Sequence, residues 1–333
     1  MSLNESGISW TDGTLNSLYG CRKCSVGCRL CYAVNRVFRQ STNPKRNADG
    51  RLNELVVEME NDHLGDPEIK RRFTGAVLFE PGHLYAVLRD KEPKRVFVNE
   101  FSDLFFESLP MELILEHFKV FNAAHWHQFQ VLTKRDQRLA EVNDAVLAEF
   151  GQWPANVWQG VSVCNAAVTE MKRIDHLGKA AAAIKWVSFE PWISDMNTPL
   201  DESIPDLRER LSRNGIAWVV VGGESGAKQD TNLMTLEDAR FLMCEAKAAG
   251  CQVHFKQLGA ALAIRMGVYS TSGDHRAKGG APDQWPADLN IVEWPAPTWS
   301  AYKAPDNFSY LYPEGEWQRF WQPSVARELG EDQ

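Results

Sequence analysis

From about residue 90 to residue 260 the chain repeats one unit, and that repeat most narrows the folds open to it. Each unit is a short β-branched or aromatic run, a polar cap and then a helical stretch. The runs are Arg95-Val-Phe-Val-Asn-Glu, Phe129-Gln-Val-Leu-Thr-Lys-Arg, Val157-Trp-Gln-Gly-Val-Ser-Val, Ile184-Lys-Trp-Val-Ser-Phe-Glu-Pro, Ile216-Ala-Trp-Val-Val-Val-Gly-Gly-Glu and Cys251-Gln-Val-His-Phe-Lys-Gln. Between them lie stretches such as Met111 to Ala124, apolar at Leu113, Ile114, Leu115, Phe118 and Phe121, and Thr235 to Ala249, opened by Thr235 with Glu237 and Asp238 behind it. Strands apolar at nearly every position, alternating with helices, imply parallel βαβ units buried on both faces. Two weaker strand candidates come earlier, around Ile8 to Trp10 and Ala76 to Phe79. The expectation is an α/β fold, a full or partial (β/α) TIM-type barrel of six to eight parallel strands, favoured over an open doubly wound sheet.

An eight-fold barrel takes about 250 residues, and the chain has 333. Residues 1–262 are therefore assigned to the barrel, with a basic insertion at about 32–75. Residues 263–333 are assigned to an irregular Trp-rich extension packed on it, through Trp285, Trp294, Trp299, Trp317 and Trp321. An aromatic platform for bases is the sharper reading of those tryptophans. No apolar run approaches the roughly 18 residues of a membrane span, and the polar start lacks a signal-peptide pattern, so a cytoplasmic protein is expected.

Four of the seven cysteines, Cys21, Cys24, Cys28 and Cys31, crowd into eleven residues of a loop at 20–32. An odd count in a long chain argues against a disulfide framework and for metal binding. Two triplets share the final pair: Cys24, Cys28 and Cys31 as C-x3-C-x2-C, or Cys21, Cys28 and Cys31 as C-x6-C-x2-C. Three thiolates from one loop can hold three irons of a four-iron cluster and leave the fourth open, whereas structural zinc takes four closed ligands. Zinc on all four thiols is the simpler alternative. Cys164, Cys244 and Cys251 stand apart and read as small fillers or unreactive thiols.

The C-x3-C-x2-C spacing resembles that of the radical S-adenosylmethionine (SAM) enzymes. More closely, the chain resembles a phage-associated family of three-cysteine, radical-SAM-like proteins of largely unassigned function. The matching stretches are Ile8-Ser-Trp-Thr-Asp-Gly-Thr-Leu-Asn, Gly20-Cys21 through Cys31-Tyr-Ala, Val96-Phe-Val-Asn-Glu-Phe-Ser-Asp-Leu-Phe, Phe129-Gln-Val-Leu-Thr-Lys-Arg, Val157-Trp-x-Gly-Val-Ser-Val, Val187-Ser-Phe-Glu-Pro, Val219-Val-Val-Gly-Gly-Glu-Ser-Gly and Phe255-Lys-Gln. The resemblance implies that Cys21, Cys28 and Cys31 are the family's three, with Cys24 at a position that usually holds another residue. It also implies a [4Fe-4S] cluster, SAM as cofactor and an external electron donor. Two departures stand out: Val26 occupies a usual proline position, and Ala227-Lys-Gln-Asp lacks the usual basic residue and proline.

In a barrel, chemistry gathers where strands end. Polar residues recur there: Asn99, Glu100, Ser102 and Asp103; Thr133, Lys134 and Arg135; Ser162 and Asn165; Ser188 and Glu190; Gly222, Gly223, Glu224 and Ser225; Lys256 and Gln257. SAM carries an amino group, a carboxylate and a ribose diol, so its site needs carboxylates, cations and uncovered backbone. Gly222, Gly223, Glu224, Ser225, Asn99, Ser188 and Lys256 are the candidate cofactor-binding residues. Asp103, Glu190 and Lys134 are the candidate catalytic ones. Lys134, Arg135 and Lys256 could equally balance those acids in buried pairs.

The net charge of −8 means that any nucleic-acid partner must meet a local basic patch. One exists: from Arg22 to Arg51, the eight cations Arg22, Lys23, Arg29, Arg36, Arg39, Lys45, Arg46 and Arg51 face a single acid, Asp49. Beside the cysteine loop this reads as a phosphate-tracking lip, or as a solvated helix. The whole points to a radical SAM enzyme acting on a nucleic acid or a nucleobase derivative by base modification, isomerisation of a hypermodified base, or repair. Two rivals remain: an iron-sulfur or zinc nucleic-acid-binding protein without radical chemistry, and a divalent-metal hydrolase or nuclease using Asp103, Glu190 and Glu224. His125 and His127, flanking Trp126, read as helix-end caps or solvated groups.

Overall fold

The computed structural model describes residues 4–58, 71–194, 198–225, 234–270, 275–297 and 318–321. Its centre is an eight-stranded sheet in the order β1 (Asn4–Glu5), β2 (Gly13–Leu15), β7 (Arg95–Val98), β8 (Gln128–Thr133), β9 (Val157–Ser162), β10 (Lys185–Trp192), β11 (Ile216–Gly223) and β12 (Gln252–Gln257). Only β1 pairs antiparallel; the seven strands from β2 to β12 run parallel and curl into a half-barrel. The last six are the six runs of the repeat. Helices α3 (Met111–Ala123), α4 (Leu139–Phe150), α5 (Val168–Gly178), α6 (Leu200–Ser203) with α7 (Leu207–Arg213), and α8 (Leu236–Ala248) fill the successive crossovers. Thr235 caps α8 as expected: its hydroxyl accepts from Asp238 N at 3.0 Å while the Asp238 carboxylate accepts from Thr235 N at 2.9 Å.

Two expectations shift. The first parallel strand is Gly13–Leu15, not Ile8 to Trp10, which turns beneath it. Trp10 is apolar there because it is buried against Phe97, Trp186 and Trp218, not because it extends. The run at 76–79 does form a strand, β6 (Val77–Phe79), but in a separate antiparallel sheet between β3 (Leu18–Tyr19) and β13 (Gln318–Trp321). The insertion after the cysteine loop folds as α1 (Tyr32–Ser41) and the hairpin pair β4 (Val56–Glu58) and β5 (Arg71–Phe73). Trp285 and Trp294 are tied to the half-barrel, donating to Gly279 O at 2.7 Å and Trp10 O at 3.0 Å. Trp299 and Trp317 lie outside the described residues.

Period-two alternation divides the strands between two interiors. Val131, Val161, Val187, Phe189, Val219, Val221, Val253 and Phe255 point outward into the main core under the helices. Trp158, Trp186, Trp218 and Val220 point inward and, with Trp10 and Phe97, form a second cluster inside the curl. Gly160 is what lets the plug close: a Cβ there would sit 2.4 Å from the Trp186 ring. Gly160→Ala is therefore expected to cost about 1–3 kcal/mol by overpacking, measured as a lower midpoint in chemical denaturation; an unchanged midpoint would mean that the ring moves freely.

Among the described residues no helix is long and apolar enough to cross a membrane. His127, expected at a capped or solvated helix end, is instead fully buried, with its ring nitrogens against Asp90 O at 2.9 Å and Lys94 N at 3.2 Å. Burial lowers its pKa, so it holds a turn as a neutral ring.

Candidate active site

A cavity of about 450 Å³ opens at the C-terminal ends of the parallel strands. Its floor includes Trp10 and Phe97, and the cysteine loop forms one wall. The start of that loop is tied to the segment after β7: Gly20 N donates to Phe101 O at 3.0 Å and Ser102 Oγ donates to Gly20 O at 2.6 Å. Its middle rests on the end of β9, where a Cβ at Gly27 would meet Cys164 Sγ at 2.1 Å. Cys31 then opens α1, which buries Ala33, Val34 and Val37.

All four loop cysteines line the cavity and all are free thiols. Cys21, Cys28 and Cys31 are partly buried, whereas Cys24 is exposed. The Cys24 thiol donates to Cys28 and, against the effect of burial, the Lys134 ammonium adds to it, holding Cys28 down at about 4. That makes Cys28 a ready thiolate ligand. Burial and the Asp103 carboxylate push Cys21 up to about 12, and burial with the Cys28 charge raises Cys31. Arg135 approaches Cys21 Sγ to 3.8 Å and donates to Arg22 O at 2.5 Å. Among the described residues no three His, Cys, Asp or Glu side chains converge on a single metal ion. A four-iron cluster makes a different demand, because each thiolate meets its own iron. Free thiols on one loop, flanked by Lys134 and Arg135 as counter-charges, suit such a cluster chemically.

The half-barrel brings nearly all the expected site residues to this cavity: Asn99, Asp103, Lys134, Ser188, Glu190, Gly223, Glu224, Ser225 and Lys256 all line it. Gly222 does not. It faces its neighbours in the sheet, where a Cβ would meet Gln257 Cγ at 3.3 Å and Glu190 Cγ at 3.5 Å. Gly223 has a packing role as well, since a Cβ would lie 2.2 Å from Leu258 O.

The side-chain oxygens of two of the polar candidates bind the frame. Asn99 sits at φ 63°, and its Oδ1 accepts from Ser17 N at 3.1 Å, Leu18 N at 3.2 Å and Ser17 Oγ at 3.2 Å. Asp103, buried, accepts from Thr133 Oγ1 at 2.8 Å, Lys134 N at 3.0 Å and Phe105 N at 2.9 Å, and burial raises its pKa despite Arg135. Its carboxylate thus orients the end of β8, from which Lys134 projects, and is a positioning group. Glu190 pairs with Lys256, Glu100 with Arg36, and Glu224 with Arg29 at 3.3 Å. Asp103, Glu190 and Glu224 therefore meet different partners rather than one another, which weighs against a shared divalent metal. The pairs also engage Arg29 and Arg36, two of the eight cations read as a phosphate-tracking lip or as a solvated helix.

Strand-end reasoning missed Tyr32, Lys278 and the aromatic floor, all on the lining. Tyr32 follows the last cysteine and is 45% exposed, with the Arg36 guanidinium 5.8 Å from its ring centroid. Its place directly after the loop was a usable signal; nothing in the aperiodic segment around Lys278 marked that residue. On the outer side of the loop Cys24, Ser25 and Val26 also border a larger hollow of about 860 Å³, shared with α5.

A family model described as "Protein of unknown function (DUF5131)" matches residues 5–286. No curated protein matches, and no solved structure does.

Proposed function

We propose, from the premise that the chain belongs to the DUF5131 family of proteins of unknown function, that it is a radical SAM-type enzyme acting on a nucleic acid or nucleobase-derived substrate. One observation carries the reading: four free thiols of a single loop border the cavity into which the parallel strands direct their terminal polar residues. A [4Fe-4S] cluster held by these thiols would supply, with SAM and one electron from an external donor, reductive cleavage of SAM to methionine and a 5′-deoxyadenosyl radical for hydrogen abstraction.

The chain's own residues then have separable tasks. Cys28 and Cys31, with Cys21 or Cys24, would hold the irons. Lys134 and Arg135 offset thiolate charge. The Glu190–Lys256 pair presents a carboxylate and an ammonium, the complements of an amino-acid headgroup, while Ser162 and Ser188 add hydroxyls on neighbouring strands. The Trp10 and Phe97 floor keeps water from a reactive centre. Nucleotide chemistry in the substrate is supported by Tyr32 at the rim and by six cations on the lining (Arg22, Arg36, Lys134, Arg135, Lys256, Lys278) against four acids (Glu100, Asp103, Glu190, Glu224).

Anaerobic purification, iron and sulfide counts, and incubation of the dithionite-reduced protein with SAM test the reading. The expected result is about four irons per chain and formation of 5′-deoxyadenosine. Stoichiometric zinc with no SAM binding would sink it in favour of a cysteine-folded binding module.

A further inference from the structure

The turn after the last parallel strand brings a lysine to the cavity from outside the repeat. His275–Lys278 is a single 3-10 turn, and its exit is fastened to the end of β12. Gly259 N donates to Lys278 O at 3.0 Å, Leu258 N donates to Gly279 O at 3.0 Å, and Trp285 Nε1 donates to that second carbonyl at 2.7 Å. Trp285 is itself buried, edge-on to Phe255 with centroids 4.9 Å apart. The backbone at Lys278 is thus fixed before any ligand arrives.

Lys278 lines the cavity. Burial lowers its pKa, and the charges acting on its ammonium are, in order, Lys256, Glu190, Arg36 and Glu100. Both of those carboxylates are taken, Glu190 by Lys256 and Glu100 by Arg36. Three cations therefore share two carboxylates, and among the described residues none pairs with Lys278. A partly buried cation without a counter-charge is costly, and an anion in the cavity relieves that cost. Phosphate suits the place, because its oxygens can accept from two or three of these donors at once, one of them a guanidinium fork.

We propose that Lys278, with the Arg36 guanidinium, forms an anion subsite that receives a phosphate group of the substrate, Lys256 remaining with Glu190. The proposal rests on reading this cavity as the reaction site and sharpens the substrate class: the base enters attached to its phosphate, not as a free base or nucleoside. Two sources carry that chemistry, the terminal group of a mononucleotide and a diester of a strand.

The test is equilibrium titration of the full-length protein, followed by tryptophan fluorescence and calorimetry. The probes are the four deoxynucleosides, their 5′-monophosphates, a short single-stranded oligodeoxynucleotide, inorganic phosphate and SAM. Monophosphates or the oligonucleotide are expected to bind about tenfold tighter than nucleosides, with inorganic phosphate competing. Lys278→Gln erases most of that preference and Lys278→Arg retains it, which separates lost charge from lost folding. A preference for monophosphates assigns the subsite to a terminal phosphate; binding of the oligonucleotide alone assigns it to a backbone diester. Phosphorylated probes binding no better than nucleosides, Lys278→Gln keeping the full preference, or a loss confined to SAM each overturns the proposal. These readings need neither iron nor SAM cleavage, so the subsite and the radical chemistry fail separately.

Discussion

Cys28→Ala is expected to strip iron from the anaerobically purified protein and to cut 5′-deoxyadenosine formation by about 100-fold or more. Cys28 is the loop thiol whose pKa is drawn down, by the Cys24 thiol and then by Lys134, which favours its thiolate. Cys31→Ala should match it. The informative comparison is between the other two. Cys21 is partly buried against the small core beneath α1, while Cys24 is exposed. Cys21→Ala is therefore expected to behave like Cys28→Ala, and Cys24→Ala to keep most of its iron. The opposite pattern would assign the C-x3-C-x2-C triplet; loss on any of the four replacements would favour a closed four-thiolate site. Cys244→Ala, on the exposed face of α8, is the control and should change neither iron nor activity.

The second large effect is structural. Trp186→Ala is expected to destabilise the fold by about 3–5 kcal/mol, read as a shift of the denaturation midpoint. Trp186 is fully buried, edge-on to Trp10 at 5.3 Å and tilted against Trp218 at 5.0 Å, and it lies over Gly160. Truncating it leaves a void beneath Trp10, which is also the cavity floor. Ligand binding should weaken together with stability. The Gly160 contact supplies an internal check: the cost of Gly160→Ala should largely vanish in a Trp186→Ala background, since the ring it strikes is gone. Full additivity of the two changes would mean that the contact carries no energy.

The central architecture was legible because buried parallel strands write themselves as continuous apolar runs, and all six from Arg95 onward form strands of the half-barrel. The first strand was not, since Gly13-Thr14-Leu15 carries one aliphatic side chain and takes its conformation from pairing with β7. Nor was the partnership of Val77–Phe79, because a single run does not say whether its neighbour is a parallel strand or the distant Gln318–Trp321. At the site, strand ends pointed to the right places, yet residue type did not disclose employment. Asp103, read as a catalytic group, and Asn99, read as a cofactor group, both reach the cavity, yet only the structure shows their oxygens accepting from Thr133, Lys134 and Phe105 and from Ser17 and Leu18. Lys278 had no marker at all, because its position depends on two hydrogen bonds to the end of β12 and one from the Trp285 indole.

The seat of Gly27 against Cys164 has a consequence for what the loop tolerates. With a Cβ there placed 2.1 Å from that sulfur, the inner side of the cysteine loop has no slack, whereas Cys24 and Val26 are exposed. Any side chain at position 27 would have to lift the loop from the end of β9, and the thiols that line the cavity would move with it.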